Sequence, residues 1–222
     1  MVALFVILFV VTLLTIDLVI QIRHKKYPLM SPVLKAQGAA SDVVRMPKGI
    51  FFHPAHTWAR MSGGDDVVVG VDDFIQKALG TIENVTLPFI GQKVNQGDPV
   101  ITLSRGGRAL SLVAPVSGTV IAINRDVIDN PALIDANPYD EGWLFSVAPD
   151  QLAANLSVMS IAESAVTWIR NEAARFREFL HVKAMQPAFA GETMLDGGVA
   201  VAGSLEHLDT EALQSFEQEF LR

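Results

Sequence analysis

The 222-residue sequence has no cysteine, so disulfides and thiolate metal sites are excluded and a reducing compartment fits the composition. Signatures of hydrolytic and nucleotide chemistry are missing too. No G-x-S-x-G occurs, and Ser104, Ser111 and Ser117 have no histidine at a recognisable spacing. Gly63-Gly64 and Gly106-Gly107 lack the strand-to-helix context of a phosphate loop. The acid pairs Asp65-Asp66, Asp72-Asp73 and Asp140-Glu141 read as solvated turns and caps. His53-Pro54-Ala55-His56 invites a metal reading, but zinc needs three or four ligands, and His24, His181 and His207 share no motif with that pair. Neither a catalytic residue nor a metal site is assigned. Basic charge is scarce in the body of the chain: residues 49–222 hold eleven Lys/Arg against twenty-two Asp/Glu, which argues against nucleic acid as a partner.

Long apolar runs are absent except at the start. Val2 to Ile22 contains only Thr12, Thr15, Asp17 and Gln21 as polar residues, and ~20 residues at 1.5 Å rise span the hydrocarbon core of a bilayer. No basic segment precedes this run, no small-residue cleavage site follows it, and Arg23-His24-Lys25-Lys26 flanks its end. The expectation is an uncleaved transmembrane helix over residues 1–22, single pass in the bacterial inner membrane, with the N-terminus outside and the main domain cytoplasmic. Asp17 is either hydrated near the headgroups or in contact with a polar group of a membrane partner. Residues 23–48, with six Lys/Arg and one acid, read as an extended basic neck facing anionic lipid.

Lysine is missing from one further place. Gln96 to Gly118, QGDPVITLSRGGRALSLVAPVSG, reads as a complete hairpin: two apolar runs flank Arg105-Gly106-Gly107-Arg108, and Gly-Gly between such runs is a strong two-residue turn signal. Gly97-Asp98-Pro99 opens it and Pro115-Val116-Ser117-Gly118 closes it. Around it, Val67–Val71, Thr81–Leu87, Gly118–Ile123 and Trp143–Val147 read as strands, and Asp73–Leu79 as a helix capped by Asp72 and ended by Gly80. Periodicity alone defines a small sandwich or barrel.

Several pieces occur together in one order: His56-Thr57-Trp58, Val67 to Val71 with Asp72, Ala78-Leu79-Gly80, Val85 to Pro88 with Gly91, the P-V-S-G turn, Asn124, Asn130-Pro131, Asn137-Pro138-Tyr139 and Gly142-Trp143-Leu144. In these the chain resembles the lipoyl-carrier domains and, among them, the H-protein of the glycine cleavage system, over about residues 50 to 150. The resemblance implies two halves related by a pseudo-dyad, and a hairpin lysine amidated by lipoic acid eight residues before the Pro of the P-V-S-G turn. That position is Gly107. Arginine is no substitute, because its guanidinium stays protonated and is no acyl acceptor, so the domain is expected to carry no lipoyl cofactor.

Beyond Pro149 the period changes. Val158, Ile161, Ala165, Trp168, Ile169, Ala173, Phe176 and Leu180 recur at three and four, the stripe of an amphipathic helix that packs either on its own domain or on another subunit. A last helix opens at Asp209 and carries Phe216 and Phe220. The fold class expected is mainly β: a transmembrane helix (1–22), the neck (23–48), an H-protein-like lipoyl-type β-sandwich or barrel with short helices (49–150), an amphipathic helix (151–182), and a loop and C-terminal helix (183–222). The candidate contact residues are Asp17, Arg105, Arg108, Trp168, Phe176, Phe216 and Phe220, the two arginines being either a solvated turn or a docking point for carboxylates or lipid phosphates. An anchor joined to a carrier fold without its lysine leads to the expectation of a non-catalytic accessory subunit of a bacterial membrane complex, respiratory or photosynthetic, among integral-membrane partners. The alternative is a membrane-tethered carrier-like or regulatory protein that meets lipoyl-handling enzymes. On either reading, removing residues 185–222 is expected to leave the β domain folded.

Overall fold

The computed structural model describes residues 47–184 and 203–222, all inside one compact unit, Val43–Arg222. The apolar run 2–22 with Asp17, and the neck apart from its last two residues, lie outside the described residues.

In chain order the body comprises β1 (Ile50–Phe52), β2 (Thr57–Met61), β3 (Val67–Val71), α1 (Asp73–Leu79), β4 (Asn84–Thr86), β5 (Lys93–Val94), β6 (Pro99–Arg105) and β7 (Arg108–Val113). It continues with β8 (Gly118–Ile123), α2 (Arg125–Asp129), α3 (Ala132–Ala136), β9 (Phe145–Pro149), α4 (Leu152–Leu156), β10 (Ser160–Ile161) and α5 (Ala162–Ala184). A 3-10 turn (Ser204–His207) and α6 (Thr210–Phe220) complete it. One sheet runs β10-β1-β2-β3-β9-β8-β5 and a second runs β4-β6-β7, and the pairings are antiparallel throughout.

Alternation decides which faces meet. Val67, Val69 and Val71 are buried while Val68 is only partly covered, and from the second sheet Ile101, Leu103, Leu110 and Leu112 are all 0% exposed in the same core. Each such side chain contributes about 1.5–3 kcal/mol of burial. Helix α1 begins where Asp72 accepts from the amides of Phe74 and Ile75, and ends at Gly80 with φ 83°, the left-handed geometry glycine adopts without penalty.

Two sequence expectations shift. The helix after Pro149 starts at Ala162 rather than near Val158, because Ser160 and Ile161 pair with Phe52 and Phe51 of β1; Val158 and Ile161 are therefore exposed, at 57% and 38%. The larger correction concerns the C-terminal segment, which is part of the core. Phe176 and Phe179 of α5, Phe216 and Phe220 of α6 and Phe74 of α1 form one ring cluster, with the Phe216–Phe220 centroids 5.0 Å apart and Phe74–Phe176 5.3 Å apart. Phe216 is 0% and Phe220 2% exposed. Leu205, Leu208 and Leu221 are buried with them. Aromatic pairs of this kind add ~0.5–1.5 kcal/mol each beyond the area they bury, so removal of residues 185–222 strips one side of the core instead of leaving the β domain intact.

Phe216→Ala is expected to cost about 3–5 kcal/mol, read as a lowered urea midpoint with the slope retained. A loss below about 1 kcal/mol, the range of ordinary surface substitutions, would show that α6 is not part of the cooperative core.

Candidate functional site

The hairpin of β6 and β7 pairs Leu103 with Leu110, Ser104 with Ala109 and Arg105 with Arg108. Between the arginines, Gly106 and Gly107 have φ 57° and 77°, the double left-handed turn that matches the right-handed twist of the strands. A Cβ added at Gly107 would meet nothing within 4 Å, so this position faces open space.

The arginines on either side are committed. Arg105 Nη1 donates to the carbonyl of Leu79 at 3.2 Å, and its Nη2 lies 2.9 Å from the Glu206 carboxylate. That guanidinium lies against two glycines: a Cβ on Gly80 would stand 1.6 Å from Arg105 Nη1, and one on Gly203 2.9 Å from it. The amide of Gly203 donates to Lys77 O at 2.8 Å. Arg108 Nη2 donates to Leu208 O at 2.6 Å, and its Nη1 to Glu206 O. Further along, the Ser111 amide donates to Glu217 Oε1 at 3.1 Å, covering part of the open edge of β7. On the opposite flank Glu83 accepts from the amide of Gly106 at 3.0 Å.

Every candidate contact residue that is described thus meets its own chain. Arg105 and Arg108 hold the C-terminal segment; Phe176, Phe216 and Phe220 are core; Trp168 packs against His56 at 5.0 Å and Phe52 at 6.4 Å. Asp17 lies outside the described residues.

Sequence reasoning missed a buried dyad. His56 and Asp72 are both 0% exposed, with His56 Nδ1 2.8 Å from Asp72 Oδ2. His56 stacks on Phe74 with centroids 4.0 Å apart, while its Nε2 has no hydrogen-bond partner. Burial pushes the Asp72 carboxyl up from its ordinary value, and the neighbouring His56 opposes that shift. Asp72 was legible only as a helix cap; nothing local in the sequence pairs it with a residue sixteen positions earlier.

The motif pieces surround this dyad. Trp58 Nε1 donates to Val71 O at 2.9 Å and Pro138 O at 3.2 Å, and a Cβ on Gly70 would lie 2.3 Å from the indole. Tyr139 donates to Asp73 Oδ1 at 2.9 Å; burial, then Asp72 and Asp73, raise its pKa far above the ordinary range. Asn124 caps α2 and donates to the carbonyls of Glu141 and Trp143. Tryptophan, tyrosine and asparagine thereby tie distant loops to one sheet.

Two antiparallel sheets and a hairpin with a two-residue tip, held with the motif residues above, are the arrangement expected of a lipoyl-type β domain. The model of the family described as "Glycine cleavage H-protein" matches residues 50–171, more than half of the chain. A glycine cleavage system H protein of Mycobacterium avium is 38% identical over 122 residues, covering 55% of this chain and 87% of that protein. One from Hydrogenovibrio crunogenus is 34% identical over 108 residues, covering 49% and 84%. The crystal structure of a glycine cleavage system H protein from Mycobacterium marinum aligns over 57% of this chain and 98% of that one, at 27% identity and a TM-score of 0.48. The chain belongs to the glycine cleavage H-protein family.

This membership corrects the functional expectation. The relatives bear the name of a glycine cleavage component, not of a subunit of a respiratory or photosynthetic membrane complex. The names of the relatives carry no inner-membrane placement either, and among the described residues, which do not include 2–22, no helix is long and apolar enough to cross a membrane.

The group the family implies does not fit this tip. A lipoyl amide forms on a lysine amine, and position 107 is glycine between two engaged guanidiniums. Lys77 and Lys93 stand on α1 and β5, paired with Asp73 and Asp150 at 3.4 and 3.2 Å.

His53 supplies a pH test. Burial and then the neighbouring His56 lower its pKa from 6.5 to about 4. Between those values the unfolded chain holds the extra proton, so stability falls as pH drops through the window. The urea midpoint should fall from pH 7 to pH 4.5 in the native chain and fall less in His53→Phe. Equal losses would mean that His53 does not set this dependence.

Proposed function

We propose that the chain is a non-catalytic, armless H-protein-type component of the glycine cleavage system: it presents the H-protein body to the proteins that H proteins meet, without a swinging group to hand over. The observation that carries this reading is the hairpin tip. Its strands, register and two-residue turn are formed, the motif residues around Trp58 and Tyr139 are engaged, and Gly107 stands eight residues before Pro115, where the family resemblance implies the lysine. Shape is retained where the acyl-accepting amine is absent. A protein built this way competes with a loaded H protein for a shared surface, and occupancy is its effect.

Restoring one side chain separates lost chemistry from lost shape. At Gly107 the added Cβ enters open space, and the left-handed φ costs a lysine only about 1–2 kcal/mol. Incubated with an enzyme that lipoylates H proteins, the native chain should gain no mass and Gly107→Lys should gain one lipoyl group. The native chain should also slow lipoylation of a genuine H protein in the same tube. Refusal of the lysine variant together with absence of competition would refute the reading, since the body would then not be recognised.

A further inference from the structure

A cavity of about 410 Å³ lies where the C-terminal helix meets the base of the hairpin, lined by His53, Pro99, Ser111, Val113, Leu221 and Arg222 together with Gly97 and Glu217. Glu217, Leu221 and Arg222 fall outside the family match at residues 50–171, so this site is an addition of this chain to the family fold. It stands whether or not the docking function does.

The chemistry of the lining is divided. Pro99, Val113 and Leu221 form an apolar wall. The bond from the Ser111 amide to Glu217 Oε1 shows that Ser111 turns its backbone N–H away from β6. In an antiparallel ladder the N–H and C=O of one residue point the same way, so the Ser111 carbonyl also faces out at the sheet edge. On the other side, His53 Nδ1 accepts from the Ala55 amide at 3.1 Å, which leaves the ring proton of the neutral imidazole on Nε2. The lining therefore offers one open acceptor, Ser111 O, beside the Glu217 carboxylate that the Ser111 amide already holds, and two donor-bearing side chains, His53 and Arg222, around an apolar patch. About 300–1,000 Å³ is the usual size of a small-ligand site.

We propose that this cavity binds the carboxy-terminal end of a short extended peptide. The terminal carboxylate meets Arg222 and His53, an amide N–H donates to the exposed edge of β7 at Ser111, and a small aliphatic side chain lies on Pro99, Val113 and Leu221. Edge-strand addition and carboxylate capture are established modes of peptide recognition. A ligand with a carboxylate alone leaves the Ser111 carbonyl unmet, and a neutral peptide leaves the charge of Arg222 unmet; the combination serves both.

The test uses the full chain with acetyl-Ala-Val as the free acid, its C-terminal amide, and free L-valine, followed by amide chemical shifts of the isotope-labelled protein. The free acid should shift Ser111, Val113 and Leu221 and bind at least tenfold more tightly than the amide-capped form. Arg222→Gln should abolish that tenfold preference, and His53→Phe should reduce it. An unchanged melting temperature in Arg222→Gln keeps that comparison free of folding effects. Equal binding of acid and amide, a preference that survives Arg222→Gln, or shifts confined to another face would overturn the proposal. L-Valine binding as tightly as the dipeptide would overturn the peptide assignment.

Discussion

One guanidinium holds the functional end of this molecule together. Arg105 leaves the last pair of the hairpin, caps the C-terminus of α1 through Leu79 O, and meets Glu206 of the C-terminal segment. It fits only because Gly80 and Gly203 bring bare backbone against it. Charge-assisted bonds to a helix carbonyl and a carboxylate are the stronger kind, and only a long planar side chain reaches both partners. The ring cluster of Phe74, Phe176, Phe179, Phe216 and Phe220 supplies the apolar half of the same junction. Hairpin, first helix and C-terminus are in consequence one packed body.

That junction ties down both sides of the hairpin tip. A carrier hairpin has to offer a flexible arm; here both side chains flanking the tip are bound to the chain's own C-terminal segment, and the tip is two glycines. The rest of the family body is intact in its determinants, with Trp58 seated on Gly70 and Tyr139 closing on Asp73. On the proposed reading recognition and transfer separate, with the recognised surface made by the sheets and the transfer chemistry by one amine.

Much of this was legible before any coordinates. The hairpin turn followed from Gly106-Gly107, the cap of α1 from Asp72, and the opening of α6 from Asp209, each a local signal with a local cause. Family membership was legible in the spaced motifs, and the glycine at position 107, on which the proposal rests, in a count from Pro115. What failed was non-local. Arg105 meets a glutamate 101 positions later, His56 pairs with Asp72 across a strand, and the phenylalanines of α5 and α6 read as a core or as a partner's interface. An amphipathic stripe states that a face will be covered but not by what. The expectation of a membrane complex had another source: it went beyond the family resemblance and assigned a host from an apolar segment and a missing lysine, neither of which names one.

Native-state hydrogen exchange across the junction measures the central claim most directly. If the C-terminal segment is built into the body that fixes the hairpin tip, the amides of Leu213, Phe216 and Leu221 will exchange only with the global opening that also releases Leu103 and Leu110, and Arg105→Ala will speed the whole group. Exchange of residues 208–221 near the rate of an unstructured peptide, with the hairpin still protected, would show that the segment is not part of that body and that Arg105 joins nothing on which the fold depends.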